Sequence, residues 1–306
     1  MPKDFLALAD WKASELHALL NRADELKRML SEGEQPLVLQ GKTLALYFEK
    51  PSLRTRVTFE VGMAQLGGAT ITLQPEQVGL GQRESVSDVA RGLSRWVDGI
   101  VARTFSHALL EELAEVATIP VINGLSDLLH PCQVLADFQT VAEHCKLTDA
   151  VIAYLGDGNN MANSLMLGAS VLGLELRLAT PLSHQPASEV RRRADELAAR
   201  SGARIRWSED PAEAVRGANF VYTDTWTSMG QEEERELRKK IFPRYQVNRE
   251  LLAHSNDAFV MHCLPAHRGE EITDEILDGD RSLVFDQAEN RLHAQKAILE
   301  LLLAPA

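Results

Sequence analysis

Three cysteines, Cys132, Cys145 and Cys263, are all that the 306 residues contain. So odd and sparse a set is no disulfide framework. It includes no Cys-x-x-Cys pair, which argues against zinc and dithiol redox motifs and suits a reducing, cytoplasmic setting. No Lys/Arg-rich run stands out in a chain of net charge −12, so no nucleic-acid partner is expected. No apolar run approaches the ~20 residues that cross a bilayer, so no membrane span is expected. The start, Met1-Pro2-Lys3-Asp4, lacks a basic-then-apolar leader pattern. Internal repeats and low-complexity segments are absent. What is present is 45% hydrophobic residues, enough for two cores of ordinary size. An acidic chain that binds an anion must gather its positive charge locally, which makes any arginine cluster informative.

The apolar pattern divides the chain. Trp11 to Leu30 carries Leu16, Leu19, Ala23, Leu26 and Leu30 on one helical face. Short Val/Ile/Leu runs then predict strands near 43–48, 69–73, 98–103 and 119–122, with helices at 54–66, 85–96, 107–116 and 131–145. A second series predicts strands near 150–155, 174–179, 203–207, 219–223 and 258–261, with helices near 160–172, 187–200 and 210–216; a last strand and helix run over 283–303. Crossovers of about a dozen residues between buried strands mean parallel sheets covered on both faces. The fold class is therefore α/β, with two doubly wound parallel-sheet domains, joined near Lys146-Leu147-Thr148-Asp149. A ligand site is expected at strand carboxyl ends, in the cleft between the domains.

The polar motifs fall at those ends. Ser52-Leu53-Arg54-Thr55-Arg56 lies between a strand and a helix, where free backbone N–H groups and the helix dipole favour a small, doubly charged oxyanion. The bland alternative is a Ser-x-x-Thr helix cap with solvated arginines. Arg103 ends a buried strand, and His130-Pro131-Cys132-Gln133 opens a helix with Pro131 at a favoured first position. Gly156-Asp157-Gly158-Asn159-Asn160, Asp224 to Gly230, and His262-Cys263-Leu264-Pro265 follow later strands. Gly156-x-Gly158 invites a dinucleotide reading. Met161 stands where the third glycine would be, and no acidic residue ends the next strand to hold a ribose, so no cofactor is expected. His262, Cys263 and His267 invite a metal reading. Strand neighbours point opposite ways and no fourth ligand is evident, so no metal is expected either. Cys132 and Cys145 read as packing residues.

Together these motifs resemble the carbamoyltransferases, and among them the ornithine carbamoyltransferase family, over nearly the whole chain. Phe48 to Arg56 is similar to that family's carbamoyl-phosphate turn, and His130-Pro131-Cys132-Gln133 to its second signature. Asp224 to Gly230, ending Ser228-Met229-Gly230, is similar to its substrate loop. Phe259 to Pro265 and Asn290-Arg291-Leu292-His293 complete the set. One departure is Gly79, where many members carry glutamine.

The resemblance implies transfer of the carbamoyl group of carbamoyl phosphate to the δ-amine of L-ornithine, giving citrulline and phosphate. It implies a carbamoyl-phosphate domain over 1–146, completed by a C-terminal helix (about 286–306) that returns to it, and an ornithine domain over 147–285. Carbamoyl phosphate would be held by Ser52, Leu53, Arg54, Thr55, Arg103, His130, Gln133, Cys263, Leu264 and Arg291. Ornithine would be held by Asn160, Asp224, Ser228 and Met229. Arg54, His130, Asp224 and Cys263 would carry the chemistry. It implies a homotrimer or a higher assembly of trimers, in which the polar 74–84 stretch could reach a neighbour's phosphate site through Gln82 or Arg83. Three other readings compete: a carbamoyltransferase for another amine, a nicotinamide-dependent oxidoreductase, and a non-catalytic relative. The first needs an acceptor assay. The missing glycine speaks against the second, and the presence of Arg54, Arg103, His130, Asp224, Cys263 and Arg291 against the third.

Overall fold

The structure, a computed structural model, describes residues 2–228 and 230–305. The chain divides into two compact units, Met1–Gln139 with Asn290–Ala306, and Thr140–Glu289.

The first unit opens with α1 (Ala13–Ser31), whose Leu16, Leu19, Leu20, Ala23 and Leu26 are buried. It continues β1 (Thr43–Phe48), α2 (Leu53–Gln65), β2 (Ala69–Leu73), α3 (Pro75–Val78), α4 (Val86–Trp96), β3 (Gly99–Arg103), α5 (His107–Val116), β4 (Val121–Leu125) and α6 (Pro131–Ala142). The four strands form a parallel sheet in the order β2-β1-β3-β4. β1 and β3 sit in the middle and are buried along most or all of their length. The edge strand β2 alternates exposed and half-buried positions. That contrast is what a parallel sheet covered on both faces imposes on its centre and spares its edge. Ala45, Tyr47, Ile100, Ala102, Val86, Ala90, Leu110 and Leu113 share one core.

The second unit holds β5 (Val151–Leu155), α7 (Asn160–Leu172), β6 (Glu175–Ala179), α8 (Ser188–Ser201), β7 (Arg204–Ser208), α9 (Pro211–Val215), β8 (Phe220–Thr223), α10 (Arg235–Ile241), α11 (Arg249–Leu252), β9 (Phe259–His262), α12 (Asp274–Leu277) and the start of α13 (Val284–Leu303). Its strands run parallel in the order β7-β6-β5-β8-β9. Every residue of α7 from Met161 to Leu172 is buried, so this helix is covered all round rather than on one stripe. Ala153, Leu155, Val221, Trp226, Phe242, Tyr245 and Val260 belong to the core of this unit. Among the described residues, no helix is long and apolar enough to cross a membrane.

Two parallel-sheet α/β units are thus borne out, with local corrections. The fourth strand runs 121–125 rather than 119–122, because Pro120 has no N–H for a ladder and the strand continues through Asn123-Gly124. The strand expected before the last helix shrinks to one bridge, Val260 with Ser282, flanked by Val260 N–H to Arg281 O and Leu283 N–H to Val260 O, both 2.8 Å; α13 begins at once. Helix α6 ends at Ala142, not 145. The short helices α3, α10, α11 and α12 leave no mark on the sequence pattern, since four to seven residues are too few to show a helical period.

Gly158 belongs to packing rather than to a nucleotide. A Cβ there would lie 2.2 Å from Pro186 N, 2.3 Å from Gln185 C and 2.5 Å from His184 O, all backbone atoms. Gly158→Ala should therefore lower the unfolding free energy by more than ~2 kcal/mol, the range of forced overpacking. Gly202, with φ +81 and nothing within 4 Å of a Cβ, supplies the comparison. Its alanine variant should lose only the ~1 kcal/mol of a left-handed backbone. Chemical denaturation of both decides it, and equal losses would contradict the packing role.

Candidate active site

Strand order reverses once in each sheet. β1 has β2 on one side and β3 on the other, and β5 has β6 on one side and β8 on the other. At such a switch point the connections leaving two neighbouring strands diverge, and a crevice opens at their carboxyl ends. Phe48 pairs with Arg103 at the end of β1/β3, and Leu155 with Thr223 at the end of β5/β8. Apart from Asn290 to His293, which lie within α13, the motifs of interest follow one of these four strands or a neighbour.

In the first unit Ser52 is the N-cap of α2: φ −156 puts it outside the helix and its Oγ accepts Thr55 N–H at 3.3 Å. Leu53 and Arg54 take the first two helical positions, where backbone N–H groups point out of the helix rather than to a carbonyl within it. The Leu53 side chain is 73% exposed, so only its backbone can serve a ligand. Thr55 is buried, and its Oγ1 accepts Arg291 Nη2 at 3.0 Å. Arg291 Nη1 donates to Gln133 Oε1 at 2.6 Å, and Gln133 Nε2 donates to Asp137 Oδ1 at 2.8 Å. Thr55, Gln133 and Arg291 thus form one buried constellation drawn from α2, α6 and α13. His130 precedes α6 and is buried. Burial first, then the charges of Arg291, Arg103 and Arg54, hold its imidazole well below the ordinary histidine pKa. Three guanidinium groups close enough to act on one neutral ring make a strongly positive pocket suited to a dianion.

Arg56 is not part of it. Its side chain is about half exposed and pairs with Glu60, Nε to Oε1 2.8 Å, on the outer face of α2. The opening of α2 therefore presents one motif guanidinium, that of Arg54, and not two. Lys50 is a residue the sequence reading missed: it is buried, with its ammonium 4.4 Å from the centre of the Phe105 ring. Its place between a buried strand and the capped turn was the available signal. Gly79 caps α3 at φ +60, and a Cβ there would lie 2.5 Å from Arg83 Cβ. A larger residue there, glutamine included, would be strained and would have to push Arg83 aside. Arg83 Nη1 donates to Gln77 O at 2.6 Å.

In the second unit Asp224 is buried at the end of β8. Its Oδ1 accepts Thr225 N–H at 2.8 Å and Cys263 Sγ at 3.2 Å, and its Oδ2 accepts Asn159 Nδ2 at 2.7 Å. Asn160 is the first residue of α7. Ser228 N–H donates to Gln231 Oε1 at 3.3 Å. Met229 lies outside the described residues. Leu264 adopts φ +55, uncommon for a branched residue, and its N–H donates to His262 Nδ1 at 2.9 Å. His262 Nε2 lies 3.0 Å from Glu271 Oε1, so Nε2 carries the proton. Although His262 and Cys263 are chain neighbours, donor atoms of Asp224, His262 and Cys263 all lie within 4.8 Å of one another. The divergence expected of strand neighbours therefore does not hold for these donor atoms, which lie at the very end of β9. Both His262 nitrogens and both Asp224 oxygens already have protein partners, so a cation would have to displace them. Cys132 donates to Asn123 O at 3.3 Å, and burial pushes its thiol up to about 12, in keeping with a packing role.

His130 generates a measurable consequence. The unfolded chain protonates this ring near pH ~6.5 whereas the folded protein does not, so below that pH the unfolded state binds more protons and stability falls as pH falls. The cost reaches up to ~1.4 kcal/mol per pH unit. Asp157, which burial pushes up to about 6, works in the opposite direction, so comparison with His130→Gln isolates the ring. Wild-type Tm should drop more steeply than that of the variant between pH 7 and 5; identical slopes would contradict a neutral buried His130.

Comparison with known proteins gives the same picture. Residues 3–143 match the family of the aspartate/ornithine carbamoyltransferase carbamoyl-P binding domain, and residues 148–302 that of the Asp/Orn binding domain. An ornithine carbamoyltransferase of Syntrophotalea carbinolica is 51% identical over 306 residues, covering 99% of this chain and all of its own length. One of Anoxybacillus flavithermus is 52% identical over 303 residues, covering 98% and 96%. The solved ornithine carbamoyltransferase of Pyrococcus furiosus superposes with a TM-score of 0.94 at 49% identity, covering 98% of this chain and 96% of that one. The anabolic enzyme of Campylobacter jejuni gives 0.93 at 40%, covering 98% and 99%. Likeness over nearly the whole chain, joined to a capped anion turn, a buried Arg-Gln-Thr constellation and an Asp-Cys pair at strand ends, places the chain in the aspartate/ornithine carbamoyltransferase family, on its ornithine carbamoyltransferase branch.

Proposed function

We propose that the chain carbamoylates the δ-amine of L-ornithine with carbamoyl phosphate, releasing citrulline and phosphate. The observation that carries this reading is the presence of two opposite half-sites. Arg54, Arg103 and Arg291 act on a neutral His130 in one unit, and Asp224 is held by Cys263 and two amide N–H donors in the other. Ser52, Thr55 and the backbone N–H groups of Leu53 and Arg54 take the phosphate with the Arg54 and Arg103 side chains. His130, Gln133 and Arg291 take the carbamoyl end, and Cys263 and Leu264 are assigned to the same ligand by the family resemblance. Asn160, Asp224, Ser228 and Met229 take ornithine.

The amine nitrogen attacks the carbamoyl carbon, the new C–N bond forms, and an oxyanion develops on the former carbonyl oxygen. Fixed donors aimed at that oxygen are worth roughly 10²–10³ in rate each. A neutral His130 serves here as a hydrogen-bond donor and not as an acid, since it carries no extra proton at working pH. The C–O bond to phosphate then breaks, with the leaving charge met by guanidinium groups. The attacking amine must be neutral, and an alkyl ammonium has a pKa near ~10. Desolvation on binding favours the neutral form, and the departing phosphate is a base that can take the released proton.

Offering ornithine, putrescine, N-acetylornithine and aspartate side by side, with citrulline-type ureido product as readout, tests the assignment. A site built to bond the α-amino and carboxylate groups leaves its own polar atoms unpaired with analogues that lack them. Ornithine should exceed putrescine by at least ~10² in kcat/KM. Parity would refute the ornithine reading.

We also infer a cytoplasmic setting, from three cysteines that make no disulfide framework, and a homotrimer. Its support is an apolar stripe on α2, Leu53 at 73%, Val57 at 43% and Val61 at 38% exposure, beside Ile71 of edge strand β2 at 41%. Residues at i, i+4 and i+8 share a helix face, and a contiguous exposed apolar strip beside an open sheet edge is a contact surface. The exposed residues 81–83, beyond Leu80 in the core, belong to the same reading, as the segment that reaches a neighbour. Val57→Glu with Val61→Glu should convert the trimer to monomers in sedimentation velocity. An unchanged trimer would place the interface elsewhere.

A further inference from the structure

Asn159 has a role that none of the assigned site residues covers. It is the N-cap of α7, where its Oδ1 accepts Met161 N–H at 2.9 Å and Ala162 N–H at 3.2 Å. The single Tyr154 hydroxyl proton goes mainly to Asp157 O at 2.8 Å, with Oδ1 3.2 Å from the same hydroxyl. The two backbone donors on Oδ1 settle the orientation of the amide: the NH₂ must face the other way. There it meets Asp224 Oδ2 at 2.7 Å. The cap at the end of β5 is thus wired across the switch point to the carboxylate at the end of β8, over 65 positions of sequence.

We propose that Asn159 is the positioning residue that aims the Asp224 carboxylate at the substrate amine. The inference rests on the reading of Asp224 as an ornithine contact. With Nδ2 on one oxygen, and Thr225 N–H and Cys263 Sγ on the other, the carboxylate plane has no rotational freedom left. Of the three, only the Asn159 bond comes from outside the β8 and β9 termini, so it alone ties Asp224 to the helix start where Asn160 sits. Serine and aspartate cap helices about as well as asparagine, but neither brings an NH₂ group. Capping and aiming can therefore be separated at this one position.

Asn159→Ser, Asn159→Asp and Asn159→Ala are compared by thermal unfolding and by separate KM values for the two substrates. Asn159→Ser should keep a higher Tm than Asn159→Ala, because its cap survives, and should keep the carbamoyl phosphate KM, while kcat/KM for ornithine falls roughly 10- to 100-fold, the worth of a hydrogen bond to a charged group. Asn159→Asp should also keep its cap but fall further, because two carboxylates would meet where donor and acceptor met. Asn159→Ala should lose Tm as well. Wild-type ornithine kinetics in Asn159→Ser overturns the proposal, as does a fall in which both KM values move together with Tm. If Asn159→Ser does not fold, Asn159→Asp carries the same comparison. Asp224→Asn is the control for the underlying reading: if it leaves ornithine kinetics unchanged, that reading fails; if it impairs them while Asn159→Ser does not, the positioning role alone fails.

Discussion

Everything in this molecule depends on where two parallel sheets reverse their strand order. A parallel strand delivers its following loop to the carboxyl edge of the sheet, and only at a reversal do two adjacent loops part to leave room for a ligand. The chain makes one such reversal at β1/β3 and another at β5/β8. It sets a phosphate-type turn and an arginine at the first, and an asparagine cap and an aspartate at the second. The apolar strands that make the reversal possible carry almost none of the chemistry. They fix the four points from which it projects.

The two half-sites differ in how they hold charge. In the first, the Nη atoms of buried Arg291 donate to neutral oxygens, on Gln133 and Thr55. A buried cation usually costs several kcal/mol unless compensated. Asp137 contributes at one remove: it accepts from Gln133 Nε2 and so turns the amide oxygen toward Arg291. These neutral acceptors orient the guanidinium without cancelling its charge, and the field at His130 stays positive. In the second, the charged group is a carboxylate surrounded by donors that carry no formal charge. One half-site gathers positive charge around a neutral ring, and the other gathers neutral donors around a carboxylate.

Much of this was legible in the sequence because it is local. Strand runs, the Ser52 cap and the clustering of polar motifs at strand ends follow from propensity and period alone, and the structure places β1, β2, α5 and α7 on the residues that pattern indicates. What was illegible depends on direction or distance. Arg54 and Arg56 look equivalent in a string, yet two residues are ~200° apart on a helix, so one turns inward and the other finds Glu60. His262 and Cys263 look divergent as strand neighbours, yet at the end of β9 their donor atoms converge with that of Asp224. Asn159 stands in the sequence only as part of the turn after a strand, and its cap of α7 appears in the folded chain. Its second partner lies at the end of a strand that only the tertiary fold brings near.

Asp224 is also fixed from behind. The Arg238 guanidinium, buried on α10, donates through Nη1 to Trp226 O at 2.7 Å and lies 2.8 Å from Asp157 Oδ2, while its Nε reaches Glu234 Oε2 at 2.9 Å. Trp226 in turn stacks on Phe242 and covers Gly156. The backbone two residues beyond Asp224 is therefore anchored to the loop after β5 by an ion pair, a carbonyl hydrogen bond and an aromatic stack, independently of Asn159. A carboxylate clamped at its oxygens and along its backbone has little reorganisation left to undergo when a substrate arrives. That matters because donors and charges that must move into place return part of their interaction energy as reorganisation, whereas fixed ones do not. The Gly156-x-Gly158 turn, which resembles a nucleotide fingerprint in the sequence, is in the folded chain the floor on which this clamp is built: Trp226 rests on Gly156, and the backbone of 184–186 rests on Gly158.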